Sequence, residues 1–179
     1  QNKLFPIIHE RRVQGILVEE LVYRWAAMNP PQPLDDDWDD NPYRGSEPLD
    51  AALADRFAFV LEMPAWSQLN ERQQIEVIRA SETPVCPTVC GRLRASIEAT
   101  RAAIPSLAES FSEPLAVYVR TLIALLAQSG TELSPRRGGM ILRNILAVHA
   151  AYLTVAPTAK PADAAYLAVR HSLPQRALG

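Results

Sequence analysis

The chain has 179 residues, 48% of them hydrophobic and 21% charged, with 18 basic side chains against 20 acidic ones. That length suits one medium domain or two small ones, and the composition is that of an ordinary globular protein. A net charge of −2 lacks the basic patch or stripe that nucleic-acid binding requires, and no apolar run read from the sequence approaches the ~18–20 residues of a membrane span. There is no signal-peptide pattern. The chain opens on Gln1 within a helical pattern, which sets the expectation of a fragment. Arginine dominates the cations, with Lys3 and Lys160 the only lysines. Such a set suits bidentate pairing with phosphate or carboxylate.

The first twelve residues carry a helical stripe at Leu4, Ile7 and Ile8, disturbed by Pro6. β-type residues then cluster around Gly15, which predicts a short hairpin feeding a buried strand over 22–28. Asn29 follows, and two prolines stop the run. A polar loop over 32–46 holds the acidic stretch 35–40 with Trp38. That stretch lacks the glycine and glutamate spacing of an EF-hand, so it is read as a solvated loop. A short helix over 48–55 precedes a second buried strand over 57–62, Phe-Ala-Phe-Val-Leu-Glu.

Beyond Pro64 the pattern turns helical. Helices are expected over 67–80, 89–104, 113–128, 134–154 and 161–173. Leu115, Val119, Leu122, Ile123 and Leu126 form an apolar face at helical spacing. Ser134-Pro135 is a helix start, with a capping hydroxyl and proline at the first helical position. The predicted fold class is therefore an α/β fragment over 1–64 followed by an all-α domain over 65–179. Cys86 and Cys90 stand at C-x3-C spacing with no second Cys/His pair nearby. Zinc needs about four ligands, so both are read as reduced thiols in a cytoplasmic protein, with no metal site.

Three phrases carry chemistry. Asn29 offers a donor and an acceptor at a strand end, a setting that can orient an attacking water; it can equally be a turn residue. Arg56, displayed between a short helix and a strand, can stabilise charge on a transferring phosphoryl group; its bland alternative is a surface ion pair with Asp50 or Asp55, contributing about 0–1 kcal/mol. Arg44, in the preceding loop, is the runner-up for that role. Arg136 falls in the first turn of a helix, where free N–H groups and the dipole favour anions; otherwise it is a solvated residue. Two patterns are absent. No G-x-x-x-x-G-K-[ST] occurs, because neither lysine follows a glycine. The stretch Ile16-Leu17-Val18-Glu19-Glu20 has the texture of an acidic strand end but lies too close to Asn29 for a parallel crossover.

Ala27-Met28-Asn29-Pro30, Leu53-Ala54-Asp55-Arg56-Phe57 and Ser134-Pro135-Arg136, in that order and spacing, resemble the sensor 1, arginine-finger and sensor 2 elements of AAA+ ATPases of the MoxR-like branch. His9-Glu10-Arg11-Arg12 resembles the segment after that family's Walker B acids, and His171-Ser172-Leu173-Pro174-Gln175-Arg176 its closing lid helix. The resemblance implies the end of a P-loop core sheet followed by a helical lid. It implies ATP hydrolysis by a homo-oligomeric ring, a hexamer, that remodels clients or inserts cofactors, with a von Willebrand factor A-type partner. Asn29 and Arg56 would be catalytic and Arg136 would contact nucleotide. ATP and Mg2+ would be held mainly by residues that this chain lacks, so the chain alone is expected to be inactive. The rival expectation is a non-catalytic helical interaction or scaffold module.

Overall fold

The computed structural model describes residues 4–21, 23–29, 50–80 and 86–173. The acidic loop 35–40, Arg44 and the end of the chain from Pro174 lie outside the described residues. The described chain is mostly helical, with one small antiparallel sheet near its start. It divides into two compact units, one formed by 1–60 with 171–179 and the other by 61–170.

The first unit is built from short elements. A π-type helical turn, Pro6–Glu10, places proline where its missing N–H is not needed. It closes at Arg11, whose backbone is left-handed (φ 56°) and whose N–H donates to the Pro6 carbonyl. The hairpin of β1 (Arg12–Val13) and β2 (Ile16–Leu17) follows, pairing Arg12 with Leu17 and Val13 with Ile16. Its turn residues Gln14 (φ 50°) and Gly15 (φ 84°) are both left-handed. That backbone matches the right-handed twist of the flanking strands, and glycine adopts it without a Cβ clash. Two arginines fasten this corner: Arg12 donates to the Gly15 carbonyl at 2.7 Å, and Arg24 to the Ile8 carbonyl at 2.6 Å.

The two buried strands expected in this unit are not formed. Residues 23–29 form no strand, and Trp25 is 87% exposed. Residues 57–62 likewise form no strand; the Val60 N–H donates to the His171 carbonyl at 2.7 Å. A central strand needs a neighbour on each edge to satisfy its backbone groups. Among the described residues neither run has one, so β propensity alone does not make them strands.

Helix α1 (Ala51–Ala54) lies between them. Asp50 caps it, its Oδ1 accepting the Leu53 N–H at 3.0 Å. Leu53 and Ala54 are buried.

The second unit is an all-helical assembly. A 3₁₀ turn (Trp66–Gln68) leads into α2 (Glu71–Ala80). Helix α3 (Pro87–Gln128) is one element of 42 residues with Pro105 and Pro114 inside it, where the sequence suggested two helices. An interior proline costs about 3 kcal/mol, but α3 is tied to α4 (Pro135–Val155) on both sides of each one. Thr100 meets Thr154 at 3.3 Å, the Phe111 ring meets His149 edge-on at 5.8 Å, and Val119 packs with Ile141 and Ile145. The partners run in opposite order along the two helices, so α3 and α4 form an antiparallel hairpin. Gly138 marks their close approach, since a Cβ there would fall 2.9 Å from Ile123 Cδ1.

Helix α5 (Pro161–Ser172) adds Ala168 to the core, flanked by Ala165 and Val169. Four residues of the apolar face read from the sequence, Leu115, Val119, Leu122 and Ile123, belong to that core.

By length and composition alone, α3 and α4 are each apolar enough to cross a membrane. This corrects the expectation that no apolar run approaches that length: α3 is one helix where two were expected, and α4 matches the expected helix over 134–154. Within the unit α4 is a core helix that also buries Arg137, Asn144 and His149.

Candidate functional site

Arg56 follows directly on α1. Its N–H donates to the Leu53 carbonyl at 3.0 Å, which continues the helical turn by one residue. The Asp50 cap and the buried Leu53–Ala54 pair thus fix where the Arg56 side chain starts. The guanidinium turns back on its own unit. Nη1 donates to the Ala52 carbonyl, and Cζ lies 4.4 Å from the centre of the Phe5 ring. Nε is buried and has no hydrogen-bond partner. The cation–π contact contributes about 0.5–2 kcal/mol, while an unsatisfied buried donor costs about 1–3 kcal/mol. The unsatisfied Nε thus offsets part of what the Phe5 and Ala52 contacts contribute.

Asn29 belongs to the same unit as Arg56 and is exposed. The strand-end setting expected for it is not formed.

Arg136 belongs to the second unit. Ser134 caps α4, its hydroxyl accepting the Arg137 N–H at 3.1 Å, and Pro135 occupies the first helical position. Arg136 is exposed in that first turn. It therefore sits where the helix dipole and an exposed cation favour the same anion.

The sequence does not single out Arg137, yet it is completely buried. Its signal is helical spacing: 137, 141 and 144–145 share one face, and Ile141, Asn144 and Ile145 are buried with it. Two adjacent arginines thus have opposite fates, one facing solvent and one in the interior.

Nothing among the known protein families, curated proteins or solved structures matches the chain.

The donors present suit anionic oxygen: Arg136 at a helix start, and Arg56 with an unsatisfied Nε. They do not suit Mg2+, because among the described residues no three His, Cys, Asp or Glu side chains gather to hold a metal. An open depression along α2 is lined by Glu71, Arg72, Ile75, Glu76 and Arg79. Arg72 pairs with Glu76 there at 3.0 Å.

Proposed function

We propose that this chain is the C-terminal part of a MoxR-like AAA+ ATPase, the end of a P-loop core followed by its helical lid. The observation that carries the reading is the ordered set Met28-Asn29-Pro30, Asp55-Arg56-Phe57 and Ser134-Pro135-Arg136, with Arg56 set on a capped helical turn and Arg136 exposed at a capped helix start. ATP with Mg2+ supplies the phosphoryl group, held mainly by residues outside this chain. Arg56 leaves Phe5 and stabilises charge at the active site of the neighbouring protomer in a hexameric ring. Asn29 orients the attacking water. Arg136 contacts phosphate oxygens from the lid and couples nucleotide state to lid rotation, a hinge closure. The work done is remodelling of a client or insertion of a cofactor, with a von Willebrand factor A-type partner.

The test is ATP turnover of the protein extended upstream of Gln1, compared with its Arg56→Ala variant. A fall of about a hundredfold or more with ATP binding retained is expected of an arginine finger acting in trans. Equal rates move that role to Arg44 or elsewhere.

A second reading, a non-catalytic interaction module, is favoured by one observation. Val89, Leu93 and Ile97 are exposed at four-residue spacing along α3, an apolar stripe suited to a partner helix. Absence of turnover in both proteins would select it.

A further inference from the structure

Cys86 and Cys90 are both free thiols and both exposed. Cys86 is the N-cap of α3, with non-helical backbone (φ −74°, ψ 116°), and Pro87 takes the first helical position. The Cys90 N–H donates to the Cys86 carbonyl at 3.1 Å. Cys86 therefore stands one helical turn before Cys90, at the start of α3. No acidic or metal-binding cluster involves either of them among the described residues.

We propose that this pair is a peroxide-sensitive dithiol, with Cys86 the attacking thiol and Cys90 the resolving one. The assignment of roles follows from position. Cys86 makes no conventional capping hydrogen bond. The backbone N–H groups of Val89 and then Thr88 nonetheless act on its sulfur and hold its pKa below the ordinary thiol value. A thiolate favoured in this way, open to solvent and beside a second thiol, has the features that make a cysteine redox-responsive.

The chemistry balances. The Cys86 thiolate attacks one oxygen of hydrogen peroxide. A S–O bond forms, the O–O bond breaks, and hydroxide leaves and takes up a proton as water. Cys90 then loses its proton to solvent and attacks the Cys86 sulfur. The S–S bond forms as the S–O bond breaks, and the second hydroxide leaves as water. Two thiols are oxidised and one peroxide is reduced. A dithiol reductant reverses the step.

Closure has a structural consequence. Cβ atoms one turn apart in a helix are about 5–6 Å apart, and a disulfide needs about 3.5–4.5 Å. The first turn of α3 must therefore yield. It can do so at Cys86, which already lies outside helical backbone, at the expense of the Cys90 N–H bond. A disulfide closed against such strain is easily reduced, which suits a reversible switch.

The test uses the whole chain. Reduced protein is titrated with hydrogen peroxide, and thiols are counted by alkylation and mass spectrometry. The expected product is a monomer that has lost two hydrogens and both alkylatable thiols, restored by dithiothreitol. In Cys90→Ser, dimedone traps a sulfenic acid at Cys86. In Cys86→Ser, Cys90 reacts several-fold more slowly. Both substitutions are conservative and exposed, and circular dichroism verifies that the fold is kept. Hydrogen exchange at the Cys90 amide accelerates on oxidation of the wild type, a change that exposed thiols acting independently would not produce. Disulfide-linked dimers as the main product, equal rates for the two thiols, or an unchanged Cys90 amide would each overturn the proposal.

Discussion

The two units are held together by different means. In the first unit, backbone and side-chain hydrogen bonds define the local structure: a left-handed turn at Gln14-Gly15, a cap at Asp50, and arginines 12 and 24 reaching for carbonyl groups. Its buried apolar side chains on α1 are only Leu53 and Ala54. In the second unit, long helices bury a shared apolar seam of Val119, Ile141, Ile145 and Ala168, flanked by Leu115, Leu122 and Ile123. Hydrogen bonds fix direction but contribute only about 0.5–1.5 kcal/mol each. Burial of a large aliphatic side chain contributes about 1.5–3 kcal/mol. The second unit should therefore be much the firmer, and three substitutions probe that contrast.

The largest effect is expected from Ile145→Ala. Ile145 is nearly fully buried in the α3–α4 seam. Removing it loses transfer energy and leaves a cavity, a loss of about 2–5 kcal/mol. Urea unfolding followed by helical circular dichroism measures it directly. A loss below about 1 kcal/mol would mean that the seam is loose and that the contrast between the units fails.

Paired cap deletions come next, each costing about 1 kcal/mol. Ser134→Ala removes the cap of α4, a helix of 21 residues, and Asp50→Ala that of α1, a helix of four. The energies are similar but the outcomes differ. α4 keeps its tertiary packing and frays by a turn at most. α1 is far below the length at which a helix persists by itself, so its turn should open and release Arg56 from Ala52. Amide exchange at Asp55 and Arg56 should accelerate in Asp50→Ala. Unchanged exchange there would show that Leu53 and Ala54 anchor the turn without the cap.

Much of the helical unit is legible in the sequence, and for physical reasons. The start of α4 is written in Ser134-Pro135, and the face 115/119/122/123 in its spacing. The hairpin is legible from Gly15, the residue that tolerates the turn. Other features depend on partners that local sequence cannot display. Pro105 and Pro114 read as helix ends, and only the contacts of Thr100, Phe111 and Val119 with α4 carry α3 through them. Residues 23–29 and 57–62 have strand composition, yet a strand exists only beside another. At the candidate site, Arg56 and Arg136 stand out by their neighbours. The fold of Arg56 onto Phe5 does not, since those residues are far apart in sequence. The burial of Arg137 was readable from its helical register with Ile141 but hidden by its charge.

The smallest expected effect is the most discriminating. Gly138 and Gly139 are adjacent in α4, and glycine in a helix is about 1 kcal/mol worse than alanine. Nothing lies within 4 Å of a Cβ built on Gly139, so Gly139→Ala should stabilise the unit by about 1 kcal/mol. A Cβ on Gly138 meets Ile123 Cδ1 at 2.9 Å. Overpacking costs about 1–3 kcal/mol, and the colliding atom is the flexible end of a side chain, which places the cost near the lower limit. The two terms then offset, and Gly138→Ala should leave the unfolding midpoint unchanged or slightly lowered. The difference between the two variants measures how closely α3 and α4 approach at this end of the hairpin. If both raise the midpoint equally, the helices are not in contact there, and Gly138 is no more than a weak point in the helix start beside Arg136.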